Sequence, residues 1–146
     1  MPNNIASFCG KHRIIGIDTM LFIYQFEKYK IYWRKTEVIF DLLEKGKFRG
    51  ITSVIGLIEI LTKPKKDKDY YLVKEYQELL TGFPNLTIAS VDDKIADLSS
   101  SLRAQYNIAT PDAILVATAL HRGATGFITA DVKLKKIKEL EIFILK

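Results

Sequence analysis

Arg13-Ile-Ile-Gly-Ile-Asp18-Thr19 sets the reading of the whole chain. A short apolar run that stops at an acid and turns at once into helix-prone sequence marks a buried strand with a polar group at its carboxyl end. Three more stretches set an acid in apolar surroundings: Ser53-Val-Ile-Gly-Leu-Ile-Glu59-Ile-Leu61, Asp112-Ala-Ile-Leu-Val-Ala-Thr-Ala-Leu120 and Phe127-Ile-Thr-Ala-Asp131. Burying a carboxylate costs on the order of several kcal/mol unless it is paired or bound to a cation. Four such acids, spread along the chain, imply a fold that gathers them around a divalent metal.

Outward from residue 13, strand-like and helix-like segments alternate. Thr19 to Phe26 and Ile31 to Lys45 have helical character; Val38, Ile39, Leu42 and Leu43 line one face of the second. Gly46 stands where a helix C-terminus favours glycine. Phe48 to Thr52 is a weak strand candidate, and a helix from Ser53 is expected to end before Pro64. Lys65 to Asp69 is a charged connector, and Tyr70 to Leu80 is amphipathic. Strands at Leu86 to Ala89, Gly126 to Thr129 and Ile142 to Leu145 complete the pattern, with helices at Asp92 to Tyr106 and from Thr110-Pro111-Asp112 onward. A short basic helix separates the last two strands. Such alternation predicts an α/β fold with a mainly parallel sheet covered on both faces. It would form one domain over residues 13–146 behind a tail of residues 1–12.

Composition narrows the class. The 146 residues suffice for one domain with a real core, and 48% hydrophobic with 27% charged residues is ordinary for a globular protein. No apolar run approaches the roughly 20 residues that span a bilayer, and residues 1–12 lack the pattern of a secretory signal. The single cysteine, Cys9, excludes an internal disulfide framework. A cytoplasmic protein without membrane contact is the expectation. The net charge of +5 permits a polyanionic partner.

Each acid has a structural alternative to weigh. Asp18 and Asp131 are placed to cap the helices that follow them, and Asp112 sits near a helix N-terminus where the dipole favours a negative charge by about 0.3–1 kcal/mol. Glu59 lies inside its helix and caps nothing. Its apolar neighbours Val54, Ile55, Leu57, Ile58, Ile60 and Leu61 cover nearly the whole circumference, which marks a buried helix; the alternative is a partly exposed glutamate on a helix edge. In parallel sheets ligands bind outside the carboxyl ends of strands, where Asp18 and Asp131 fall. All-oxygen donors without a Cys/His cluster favour Mg²⁺ or Mn²⁺ over zinc.

At these residues the chain resembles the PIN-domain nucleases, and among them the VapC-type toxins of toxin–antitoxin pairs. The matching stretches are Ile-Gly-Ile-Asp18-Thr19, Thr-Ser53-Val-Ile-Gly-Leu-Ile-Glu59, Thr-Pro111-Asp112-Ala-Ile-Leu-Val-Ala-Thr-Ala and Phe-Ile-Thr129-Ala-Asp131, and the likeness spans residues 13 to 144. The resemblance implies a three-layer α/β/α sandwich and Mg²⁺- or Mn²⁺-dependent endoribonuclease activity. Asp18, Glu59, Asp112 and Asp131 would be the catalytic, metal-holding acids. Thr129 matches a hydroxyl residue that supports the site by hydrogen bonding, and Thr19 is placed in the same supporting role. Met20, Ala130 and Leu134 depart from the family's usual residues.

The resemblance also implies partners: RNA as substrate, a second copy of the chain in a homodimer, and a small antitoxin that inserts a basic residue among the carboxylates. Lys133, Lys135 and Lys136, with Lys138, follow Asp131, and Lys63, Lys65, Lys66 and Lys68 follow the Glu59 helix; either group would hold a nucleic-acid backbone. Phe22, Tyr24, Phe26, Tyr29, Tyr32 and Trp33 crowd the first helices and suit core packing, a dimer surface or a partner groove better than base stacking. A receiver domain would need paired acids after the first strand, and a dehalogenase-like phosphatase Asp-x-Asp, where this chain has Met20. A PIN nuclease of RNA maturation and a non-catalytic RNA-binding module are the remaining alternatives.

Overall fold

The computed structural model describes residues 4–146. Five short runs form strands: β1 Ile14–Ile17, β2 Arg49–Ser53, β3 Leu86–Ala89, β4 Gly126–Thr129 and β5 Glu141–Ile144. The helices are α1 Ile5–Lys11, α2 Thr19–Glu27, α3 Tyr32–Glu44, α4 Ile55–Lys66, α5 Tyr70–Thr81, α6 Asp93–Tyr106 and α7 Thr110–His121, with a 3₁₀ helix at Val132–Lys136. Every strand pairing is parallel and the order is β3-β2-β1-β4-β5. This is the expected α/β/α sandwich. The chain builds outward from β1 on one side, then returns to build outward on the other, so its topological switch point lies between β1 and β4. Ligands of open α/β sheets bind at that edge.

Alternation along the strands divides the interior in two. Ile15, Ile17 and Ile128 face a core shared with Leu21, Phe22, Ile39 and Leu43. Phe127 faces the other, with Ile95, Leu102, Val116 and Leu134. Burial of each such side chain contributes about 1.5–3 kcal/mol. Gly16 is on the second face, where an added Cβ would stand 2.5 Å from the Phe127 ring and 2.6 Å from the Ala119 methyl. Helix α7 therefore packs directly on β1. Gly16→Ala is expected to lower unfolding free energy by about 1–3 kcal/mol, read from the urea midpoint; an unchanged midpoint would mean that α7 does not lie that close.

Helix ends follow local chemistry. Asn4, Asp69 and Asp92 each accept the amide of the third following residue. Gly46, at φ +75, closes α3 through its own amide to Leu43 and that of Lys47 to Leu42.

Three expectations need correction. The supposed tail contains α1, whose Phe8 and Cys9 enter the first core. Burial holds the Cys9 thiol up at about 12, an inert state. Pro64 does not end its helix: it occupies the last turn of α4, where only one helical hydrogen bond is lost, and its ring is buried. At α7 the N-cap position falls on Ala109, not Thr110, and Pro111 remains in the first turn. No helix among the described residues is long and apolar enough to cross a membrane.

Candidate active site at the carboxyl edge of the sheet

The parallel register brings the first and last acids together. Ile17 of β1 stands beside Ile128 of β4, so the next residues, Asp18 and Thr129, meet across the switch point. The Asp18 amide donates to the Ile128 carbonyl at 3.0 Å. Thr129 donates its hydroxyl to Asp18 Oδ2 at 2.5 Å and accepts the Asp131 amide at 3.0 Å. One fully buried hydroxyl thus fixes a carboxylate on one strand and the backbone of the acid that follows the next.

The structure separates the alternatives for each acid. Asp18 holds the N-cap position of α2, yet its side chain makes no capping bond. It is only 6% exposed. Its pKa is raised chiefly by burial; the Thr129 hydroxyl and the backbone amides of Met20 and Thr19 oppose the rise, and the Glu59 charge adds to it. Asp131 does cap: its Oδ1 accepts the Lys133 amide at 2.9 Å, the bond that starts the 3₁₀ helix. Asp112 lies in the first turn of α7, half-buried. Burial raises its pKa first, then the charges of Asp18 and Asp131, with Lys133 opposing.

Glu59 overturns an expectation. It is exposed, because α4 buries only the face carrying Gly56, Ile60, Leu61 and Pro64, and neighbouring Ile58 is 62% exposed. Of the apolar run around Glu59, Ile60 and Leu61 lie in the core and Leu57 and Ile55 pack against it, while Ile58 joins Glu59 on the open face. Desolvation still leads its raised pKa, and Asp112 adds repulsion. The deeply buried charge belongs to Asp18.

Gly56 explains how Glu59 comes to the site. A Cβ there would sit 2.8 Å from Thr19 Oγ1, so α4 approaches the start of α2 closely, and Glu59 follows within one turn. The Thr19 hydroxyl is buried without a hydrogen-bond partner. It lies near enough to Glu59 to oppose the rise of that carboxyl's pKa, but not in bonding geometry. A buried orphan hydroxyl is uncommon, and this one is adjacent in sequence to Asp18. Local sequence carried no sign of it beyond that adjacency.

The four acids therefore repel one another with little internal relief. None forms a salt bridge among the described residues, and Lys133 is the one cation felt, at Asp112. Lys135 and Lys136 are exposed on the 3₁₀ helix, and no contact of theirs with the acids is recorded. Oxygen-only donors, uncompensated charge and an unpartnered hydroxyl fit a hard divalent cation. Among the described residues, no three acidic, histidine or cysteine side chains stand close enough to enclose an ion as they are; closing on one would require carboxylates to turn inward.

Solved structures share this fold. A toxin–antitoxin complex from Klebsiella pneumoniae matches with 26% identity and a TM-score of 0.66, covering 86% of this chain and 94% of that one. VapBC2 from Rickettsia felis, bound to a DNA fragment from its promoter, shares the fold at 21% identity and a TM-score of 0.66, covering 91% and 99%. VapBC-1 from nontypeable Haemophilus influenzae does so at 21% and 0.67, covering 90% and 98%. No curated protein matches the chain. The PIN-domain family model matches residues 17–140, from the end of β1 to just before β5, and the chain belongs to the PIN-domain family.

Proposed function

We propose that the chain is an Mg²⁺- or Mn²⁺-dependent endoribonuclease that hydrolyses RNA phosphodiesters and serves as the toxin of a toxin–antitoxin pair. The observation that carries this is Asp18: a buried carboxylate at the switch point with no salt-bridge partner among the described residues, repelled by acids from two other elements.

Asp18, Asp112 and Asp131 would hold the cation, and Thr129 would keep Asp18 in place. Once bound, the metal lowers the pKa of water and offsets charge on the scissile phosphate. Glu59 takes the role of proton acceptor for the attacking water. It is the acid on the open rim, and its raised pKa moves it toward the operating range of a general base. Lys133, the cation closest in effect to Asp112, would meet a phosphate oxygen of the RNA.

The antitoxin follows from the rim. Met20, Ile58 and Val132 are 41%, 62% and 66% exposed, and each neighbours an acid or lies one residue from it. Apolar side chains around a negative centre suit a partner segment that presents a basic residue among apolar ones. The homodimer belongs to the same reading and rests on the resemblance alone.

The test is direct. Purified protein is expected to cleave RNA with Mn²⁺ or Mg²⁺ and to stop on chelation, and its expression to arrest growth until the neighbouring gene product is supplied. Failure to cleave any RNA with either metal would sink the nuclease reading; cleavage without growth arrest would leave the nuclease and remove the toxin.

A further inference from the structure

Helix α4 carries lysines on the same open face as Glu59. Residues 59, 63 and 66 fall at i, i+4 and i+7 and all three are exposed, so they form one stripe. Lys63 stands about 6 Å along the helix from Glu59, and Lys66 about 10 Å. A glutamate four residues before a lysine is the favoured spacing for a helical ion pair. Among the described residues, however, neither Glu59 nor Lys63, Lys65, Lys66 or Lys68 is in a salt bridge.

The turn after α4 continues the stripe. Lys68 has φ of 57, a backbone that suits glycine better than lysine, and its amide returns to the Lys65 carbonyl. Tyr70 and Tyr71 follow at the start of α5, 66% and 93% exposed. Among the described residues neither ring stacks on another aromatic ring or lies under a cation. Both faces of Tyr71 are therefore open to a ligand.

Over residues 63–71 four lysines stand against two aspartates, and the Asp69 carboxylate is taken up as the cap of α5, accepting the Leu72 amide. The helix dipole accounts for lysines in the last turn of α4. It accounts neither for Lys68, which lies beyond the helix, nor for the open tyrosine near it. Unneutralised cations beside a free aromatic face suit a nucleic-acid strand, with phosphates on the cations and a base on the ring. The same charge repels the basic segment proposed for the antitoxin, which decides between the two occupants.

We propose that Lys63, Lys66, Lys68 and Tyr71 form a track along α4 and its turn that holds the RNA a few nucleotides away from the scissile phosphate. The inference rests on the ribonuclease reading and deepens it. The track sets a minimum substrate length, because only RNA that leaves the carboxylates and reaches Tyr71 gains the added contacts.

Binding of an oligoadenylate dodecamer to the full chain, in EDTA so that nothing is cleaved, is the first measurement. Tyr71→Ala is expected to weaken affinity about tenfold. Lys63→Gln with Lys66→Gln and Lys68→Gln is expected to reduce the salt slope by about two, with the Tm unchanged in both variants. The second measurement is cleavage with Mn²⁺ of a long RNA and of the same sequence trimmed to a tetramer around its scissile bond. Both variants are expected to raise KM for the long RNA and not for the tetramer, which cannot fill the track and the acidic site together. If the unmodified chain cleaves RNA and the variants bind and cleave the long RNA equally well, the track falls and the ribonuclease reading stands. If the unmodified chain neither binds nor cleaves RNA, both fall. Equal losses on the long and trimmed RNA would place these residues at the scissile phosphate and overturn the track. Variants that keep RNA affinity but lose a protein partner would make this a docking face and overturn it as well.

Discussion

Asp18→Asn is expected to abolish RNA cleavage and, in the same protein, to raise the melting temperature of the metal-free state. The two effects share one cause. Asp18 is buried and its carboxyl pKa is raised by desolvation and by the Glu59 charge, so ionising it destabilises the fold. Asparagine keeps the shape, and its side-chain oxygen still accepts the Thr129 hydroxyl. Loss of a charged metal ligand removes charge stabilisation worth several kcal/mol in the transition state, a rate loss of about a hundredfold or more.

The pH dependence has a definite sign. A carboxyl whose folded pKa lies above its unfolded value binds more protons when folded, so stability falls as pH rises from the ordinary carboxylate range through the raised pKa. The unmodified metal-free protein should show that decline, and Asp18→Asn should show less of it. Divalent cation at about a hundred times its Kd should stabilise the unmodified protein by about 2.7 kcal/mol and the variant far less. Thermal melts at several pH values, with Mn²⁺ and with EDTA, measure all of this. Retained cleavage, or a variant less stable than the parent in EDTA at neutral pH, would remove Asp18 from the centre of the site.

The strands were legible nearly to the residue. Leu86 to Ala89 and Gly126 to Thr129 stand as read, because a short apolar run between polar stops has few other uses in a chain of this length. α1 falls in the stretch that reads as a tail, although Ile5, Phe8 and Cys9 stand at helical spacing behind Asn4, a good cap. Glu59 misled for a different reason. Most of the apolar residues around it do pack on the core, but one apolar residue, Ile58, shares the open face with Glu59, so composition alone overstates how much of the circumference is covered. What no local pattern encodes is strand order. The switch between β1 and β4 converts Asp18 and Thr129, 111 residues apart in sequence, into hydrogen-bonded neighbours. The aromatic residues of the first helices are similar: all six are visible in the sequence, but that Tyr24, Tyr29 and Tyr32 stack with near-parallel rings is a property of the folded loop.

Thr129→Val tests whether that cross-strand link organises the site. Valine keeps the volume and branching of threonine at a fully buried position, so packing is unchanged and water has no room to substitute. Two hydrogen bonds disappear. Asp18 loses its donor, and the Asp131 amide loses its acceptor. A stability loss of about 1–3 kcal/mol is expected from the stranded groups, greater at neutral pH than in mild acid, because the ionised form of Asp18 is the one the hydroxyl favours. Activity should fall about 10–100-fold, the usual effect of removing a group that orients a metal ligand. The acid limb of the pH–rate profile should move to higher pH, since the Asp18 pKa rises further without its donor. Thr129→Ser restores the hydroxyl and should recover most of the activity and the profile. Equal loss in the serine and valine variants would place the defect in packing and deny the hydroxyl its role. A valine variant with normal rate and normal pH profile would show that Asp18 needs no help from β4, and the coupling of the two strand ends would be structural coincidence.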